Sequence, residues 1–169
     1  IALLQKMGIS CSMLTGDARP VAQAVAAAVN LDSVIADCKP EEKAQHIKEL
    51  QRQGLAVAMV GDGVNDAPAL AQADLSLAIG SGTDIANQAA GISLMRSSLL
   101  LVPQALQLAR AGRRKIRENL FWAFAFNIIG LPLAASGWLN PGLAGAAMAL
   151  SSMAVVGNAL LLQKWRPSH

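Results

Sequence analysis

Along the first hundred residues the hydrophobic positions switch repeatedly between short unbroken apolar runs and four-residue periods, the pattern of a parallel sheet flanked by helices. The run ISCSML at 9–14 predicts a strand ending at TGD, residues 15–17. Val21, Val25 and Val29 then recur every four residues on an alanine-rich helix. SVIAD at 33–37 predicts a second strand, and Pro40 opens the next helix with Glu41 and Glu42 in its electropositive first turn. On that helix Ala44, Ile47 and Leu50 face inward, and Gly54 ends it. LAVAMV at 55–60 is apolar at every position, as expected of a central strand covered on both faces. A short helix over 67–73, a strand LSLAIG at 75–80, a helix near 84–90 and a strand GISLM at 91–95 complete the series.

From Ser98 the character changes to one long helical pattern reaching Ser136. Between Asn119 and Gln163 there is no charged residue. At about 1.5 Å of rise per residue this stretch crosses a hydrocarbon core of about 30 Å twice, with room for a tight connection. The connection is GWLNPG, 137–142, so the spans are expected at about 119–136 and 143–163. The predicted organisation is therefore an α/β domain over 1–97, a basic helix over 98–118 leading into the membrane, two spans, and a short tail over 164–169. Lys and Arg flank the outer ends of the spans and are missing from the loop between them, which predicts both ends on the cytoplasmic side. Trp122, Trp138 and Trp165 are expected near the interfaces. The competing reading is a pair of buried helices in a soluble protein.

Composition supports the membrane. Hydrophobic residues make up 53% of the chain and charged residues 15%, too apolar a balance for an ordinary soluble domain. The net charge of +3 conceals a segregation: residues 1–84 carry ten Asp/Glu against six Lys/Arg, and the remainder carries eight Lys/Arg against Glu118 alone. Because Arg110, Arg113, Arg114, Lys115 and Arg117 crowd against an apolar segment, their expected partner is a lipid surface and not nucleic acid. Cys11 and Cys38 have neither CxxC spacing nor metal-ligand neighbours and are expected to be reduced, structural thiols. The start at Ile1, inside an amphipathic pattern, leads us to expect a longer protein.

Parallel α/β sheets gather ligands at the carboxyl ends of their strands, which puts TGD at 15–17 and GDGVND at 61–66 on one rim. Two carboxylates beside glycines that expose backbone N–H groups suit Mg²⁺, a hard cation that takes one or two carboxylates, keeps waters and accepts a phosphate oxygen. Asp62 and Asp66 supply the charge, Asn65 supports them by hydrogen bonds, Thr15 and the Gly16 amide suit phosphoryl oxygens, and Lys43 can neutralise another. Taken singly, GDG and TGD are equally compatible with ordinary turns.

The series TGD (15–17), KPEEK (39–43) and MVGDGVNDAPALAQADLSLAIGSGTDIA (59–86) resembles the second half of the phosphorylation domain of P-type ATPases, a branch of the haloacid dehalogenase-like hydrolases. The resemblance implies a Rossmann-like parallel sheet followed by transmembrane helices, with ATP and Mg²⁺ as cofactors. It makes Asp62 the Mg²⁺ ligand, Asn65 and Asp66 its support, Thr15 and Gly16 the phosphoryl binders, Lys43 the positive charge over the phosphate, and Asp17 a nucleotide-positioning residue. The family's nucleophilic aspartate, in a DKTGT motif, does not occur in these 169 residues. Nor do the nucleotide-binding domain, the actuator domain or the other helices. This stretch alone is therefore expected to be inactive.

In the spans, Met148 and Ser152 lie four residues apart on one helix face, and a thioether favours Cu(I), whereas the absence of any carboxylate disfavours a divalent ion. AFNIIGLPLAAS and NPGLAGAAMALSSMAVVGNALLL are similar to the last two helices of copper-transporting P-type ATPases, which makes Asn127, Met148 and Ser152 transport residues for Cu⁺. Phe126 stands where that family has tyrosine, which leaves Ag⁺ open. The resemblance further implies a plasma-membrane location, the bacterial inner membrane, and a cytosolic copper chaperone as a candidate partner. Two rival readings remain: a membrane-anchored phosphatase of the same superfamily, and a non-catalytic membrane fragment that regulates a pump.

Overall fold

A computed structural model describes all residues except 32, 63, 81–87, 89, 138–139 and 168–169. The chain divides into two compact units, Ile1–Pro103 and Gln104–His169.

The first unit contains α1 (Ala2–Lys6), β1 (Ser12–Leu14), α2 (Arg19–Val29), β2 (Ser33–Ile35), α3 (Pro40–Arg52), β3 (Ala58–Gly61), α4 (Ala67–Gln72), β4 (Leu75–Ile79) and β5 (Ile92–Leu94). All strand pairs are parallel: β1 with β2, and separately β3 with β4 and β4 with β5. The helix expected near 84–90 falls largely outside the described residues. Local chemistry sets the boundaries. α2 begins with Pro20 in its first turn and ends at Asn30, which takes the left-handed conformation (φ 52°). α3 opens at Pro40, and the Lys39 backbone N–H donates to Glu42 at 2.8 Å, tying off an N–H that the helix cannot satisfy.

Ile47 of α3, Met59 of β3, and Ala69 and Leu70 of α4 form the core cluster, with Val57 and Ala73 packed against it. The LAVAMV run was expected to be the central strand, but β4 holds that place. Ser76, Leu77 and Ala78 are all buried, whereas β3 buries only alternate residues, Met59 and Gly61. The reason is position: among the described residues β4 has a strand on either side, and β3 has one on one side only. On α2 the helical period is present, but Ala22 and Ala26 are its buried positions and Val21, Val25 and Val29 stay exposed.

The second unit is built on α5 (Leu101–Ala135, which starts in the first unit) and α6 (Pro141–Leu160), followed by a 3₁₀ turn at Leu161–Lys164. Pro132 lies inside α5. Asn140 caps α6, its side-chain oxygen accepting from the Gly142 N–H at 2.8 Å. Both helices are long and apolar enough to cross a membrane, and neither apolar window is buried within the protein. Leu120, Phe121, Phe124, Ile128, Ile129 and Leu131 of α5 and Met148, Leu150, Met153 and Val156 of α6 are all exposed. A soluble core helix would hide that surface, and a lipid-facing one has no need to.

The helices are joined at one end by a polar clasp. Asn158 of α6 accepts from Lys115 Nζ at 2.7 Å and donates through Nδ2 to Glu118 (3.2 Å) and to Asn119 Oδ1 (2.8 Å). Lys115 and Arg114 also pair with Glu118 at 2.9 and 3.1 Å.

Candidate phosphate and magnesium site

The strand ends deliver most of the expected groups. β3 ends at Gly61, Asp62 follows, and a 3₁₀ turn (Val64–Asp66) swings the chain into α4. Asp66 thereby folds back over β3. A Cβ on Gly61 would stand 2.7 Å from Asp66 Cβ and 2.8 Å from Oδ2, so only glycine admits this fold-back. The Asp66 carboxylate is buried and would be costly there without a counter-charge. Lys43, one turn into α3, supplies it: Nζ lies 2.7 Å from Asp66 Oδ1, with both side chains mostly shielded. An ammonium has three donors, so others remain for a phosphoryl oxygen.

Asp62 is exposed, and with Asp66 it lines an open cavity of about 480 Å³ together with Val60, Gly61, Ile79, Ser97 and Leu99. Asn65 is exposed on the same turn. Among the described residues no group of three or more carboxylate, histidine or cysteine ligands could hold a metal ion. One exposed carboxylate, one lysine-paired carboxylate and open space fit Mg²⁺, which fills its sphere with water and phosphate, better than a transition metal that needs a closed set of protein donors.

Thr15, Gly16 and Asp17 form a turn of their own. Thr15 Oγ1 donates to Asp17 Oδ2 at 2.8 Å and accepts from the Asp17 N–H at 3.1 Å. Two backbone bonds of 3.0 Å, Asp37 N–H to Asp17 O and Cys38 N–H to Thr15 O, zip this turn to the loop after β2. That loop needs a left-handed residue, Asp37 (φ 54°), and leads directly into α3 and Lys43. Among the described residues no hydrogen bond joins the Thr15 turn to Asp62 or to the Lys43–Asp66 pair. Burial, reinforced by Glu42 and opposed by Lys43, pushes the Cys38 thiol above its ordinary pKa, so it stays protonated, as a structural thiol should.

The helix residues are arranged differently. Asn127 Nδ2 donates to its own helix at Ala123 O (2.8 Å), and Met148 and Ser152 are exposed on α6. The structure does not join these three by hydrogen bonds.

Sequence reasoning missed Ser97 and Leu99 as cavity-lining residues. They follow β5, so the rule that ligands gather beyond carboxyl ends of parallel strands could have found them. Ser97 also sits against Gly80 (φ 75°), where an added Cβ would approach its Oγ to 2.5 Å.

Comparison with known proteins adds the decisive observation. The chain is 58% identical over 166 residues to a copper-exporting P-type ATPase of Staphylococcus aureus, an alignment covering 98% of this chain and 21% of that protein. The chain is homologous to part of the heavy-metal P-type ATPases. It spans about a fifth of the length of the curated relatives it matches. The haloacid dehalogenase-like hydrolase family matches residues 1–74. Among solved structures, a zinc-transporting PIB-type ATPase in the E2.Pi state superposes with a TM-score of 0.87 at 36% identity, over 96% of this chain and 26% of the other. The catalytic domain of the CPx-ATPase CopB-B gives a TM-score of 0.57 at 34% identity, over 60% of this chain and 40% of the other. The chain thus pairs an α/β unit of parallel strands, matched over residues 1–74 by the haloacid dehalogenase-like hydrolase family, with two long apolar helices.

Proposed function

We propose that this chain supplies the Mg²⁺ and phosphate site and two membrane spans of an ATP-driven pump exporting Cu⁺, working through an aspartyl-phosphate whose aspartate lies outside these 169 residues. The single observation that carries the reading is the Asp62 cavity, backed by the Lys43–Asp66 pair, on the same chain as two unburied apolar helices. Bound Mg²⁺ would neutralise developing charge on the transferred phosphoryl group. Asp62 offers it an exposed carboxylate, Asp66 is held rigid by Lys43, and Lys43 keeps donors for a phosphoryl oxygen. Thr15 and the Gly16 amide bind a second edge of the phosphate, Asn65 orients the acidic turn, and Asp17 positions ATP. α5 runs unbroken from the α/β unit through Pro132, so a shift in the first unit can reach Asn127 without an intervening loop.

For the cargo, Asn127, Met148 and Ser152 form one polar and soft set, completed by other helices of the pump. The relative of solved structure is zinc-transporting, but no carboxylate lies between Asn119 and Gln163 to balance a divalent charge. Cu⁺, with Ag⁺ as its chemical neighbour, is the better fit. Both ends of the segment face the cytoplasm, where a copper chaperone could deliver the ion.

Two substitutions in the full-length pump separate the chemistry from the cargo. Asp62→Asn should lower phosphoenzyme formation from ATP about 100-fold or more. Met148→Leu should reduce Cu⁺-stimulated phosphorylation by ATP while leaving back-phosphorylation by inorganic phosphate intact. An unchanged Cu⁺ response would remove Met148 from the site, and stimulation by Zn²⁺ but not by Cu⁺ or Ag⁺ would overturn the cargo.

A further inference from the structure

Near the clasped end of the second unit lies a cavity of about 410 Å³ whose lining includes Arg110, Arg114, Lys115 and Lys164, with Leu161 and Trp165. We propose that this cavity binds the phosphate of an anionic phospholipid headgroup. The inference rests on reading α5 and α6 as membrane spans.

Depth comes first. The charge-free stretch begins at Asn119 and ends at Gln163, and the cavity is lined by residues just before its start and by Leu161 and Leu162 at its end. Lys115 is four residues before it and Lys164 directly after it. At about 1.5 Å per residue, Lys115 stands about 6 Å outside the apolar core, within the headgroup layer.

Charge comes next. Four cations line the cavity, and the one carboxylate beyond residue 84, Glu118, is taken by Arg114 and Lys115. Among the described residues Arg110 and Lys164 form no ion pair. The cavity therefore has an excess of positive charge and room for an anion. Free phosphate shares that chemistry, but the indole of Trp165 and the Leu161 side chain have no use in a site for a small hydrated ion. They suit the boundary between glycerol and acyl chain.

Native mass spectrometry of the full-length protein in detergent tests this with three probes: phosphatidylglycerol, phosphatidylcholine and inorganic phosphate. The wild type should retain phosphatidylglycerol in preference to phosphatidylcholine, and millimolar phosphate should not displace it. Arg110→Gln with Lys164→Gln should weaken phosphatidylglycerol retention about twentyfold, roughly fivefold for each cation lost. Arg110→Lys with Lys164→Arg should restore it, and Arg113→Gln with Arg117→Gln, equal in charge but off the cavity, should leave it unchanged. Equal losses from the two neutralised pairs would reduce the effect to diffuse surface attraction and overturn the site. So would no preference between the lipids, or full displacement by phosphate, which would assign the cavity to the free ion. Copper-stimulated turnover is not the readout. A failed pump reading would leave a positive lipid result standing, and a working pump without lipid preference would sink this inference alone.

Discussion

The polar residues near the strand ends and those within the two helices meet opposite fates. In the first unit Lys43 closes on Asp66, Thr15 on Asp17, and the Thr15 turn on Asp37 and Cys38, so each of these groups finds its partner within this chain. In the helices Asn127 turns back on its own backbone, and Met148 and Ser152 point outward. The difference lies in how many elements supply each site. Turns that follow paired strands, and the helices packed on them, bring residues from several elements together, whereas a side chain on an isolated helix face finds a partner only on another helix. Asn158 shows the contrast within one helix, because α5 faces it and its amide is fully engaged.

The largest break in this comparison should come from Lys43→Met. It strands the Asp66 carboxylate in a shielded place and should cost about 2–3 kcal/mol of stability in the first unit, read by chemical denaturation. A loss below half a kcal/mol would mean that the rim is not preassembled around this pair. Gly61→Ala should follow at about 2 kcal/mol, because the new methyl collides with Asp66 Cβ at 2.7 Å. It should weaken Mg²⁺ binding as well, which calorimetry can register; full Mg²⁺ affinity would show that Asp66 moves freely.

Asn158→Leu sharpens the other side. It removes the amide that ties α6 to Lys115, Glu118 and Asn119, and should destabilise the helix pair by about 1 kcal/mol in detergent unfolding. Asn127→Leu, which breaks only a bond within its own helix, should have a smaller effect on the same assay.

The smallest effect is a pH dependence confined to the first unit. The Val57 backbone N–H, joined by the Gln51 amide, holds the Asp74 carboxyl below its ordinary pKa. A depressed carboxyl stabilises the fold above its unfolded pKa and loses that contribution as the pH falls through the folded value. Thermal stability should therefore decline on acidification below about pH 4, and Asp74→Asn should flatten part of the decline.

Much of the first unit was legible because its signals are local. Apolar runs bounded by glycine and aspartate mark strands that end at a rim, and a proline followed by two glutamates marks the start of α3. Strand rank was not legible: LAVAMV is apolar throughout and LSLAIG carries Ser76, yet pairing on both sides makes β4 the central one. The inward face of α2 was not legible either. A four-residue valine period looks like a buried stripe, but the neighbouring alanines, small enough for close packing, took the contact.

The order of motifs, the charge segregation and the uncharged length between Asn119 and Gln163 were determined by the sequence alone. These depend on residue identity and on a length that must match a bilayer, neither of which requires coordinates. Tertiary structure alone decided that Lys43 neutralises Asp66, that Ser97 and Leu99 share Asp62's cavity, and that Arg110 and Lys164 line one basic cavity. Each of those contacts joins residues about twenty or more positions apart, and side-chain distances at such separations are set by how elements pack and not by any local pattern.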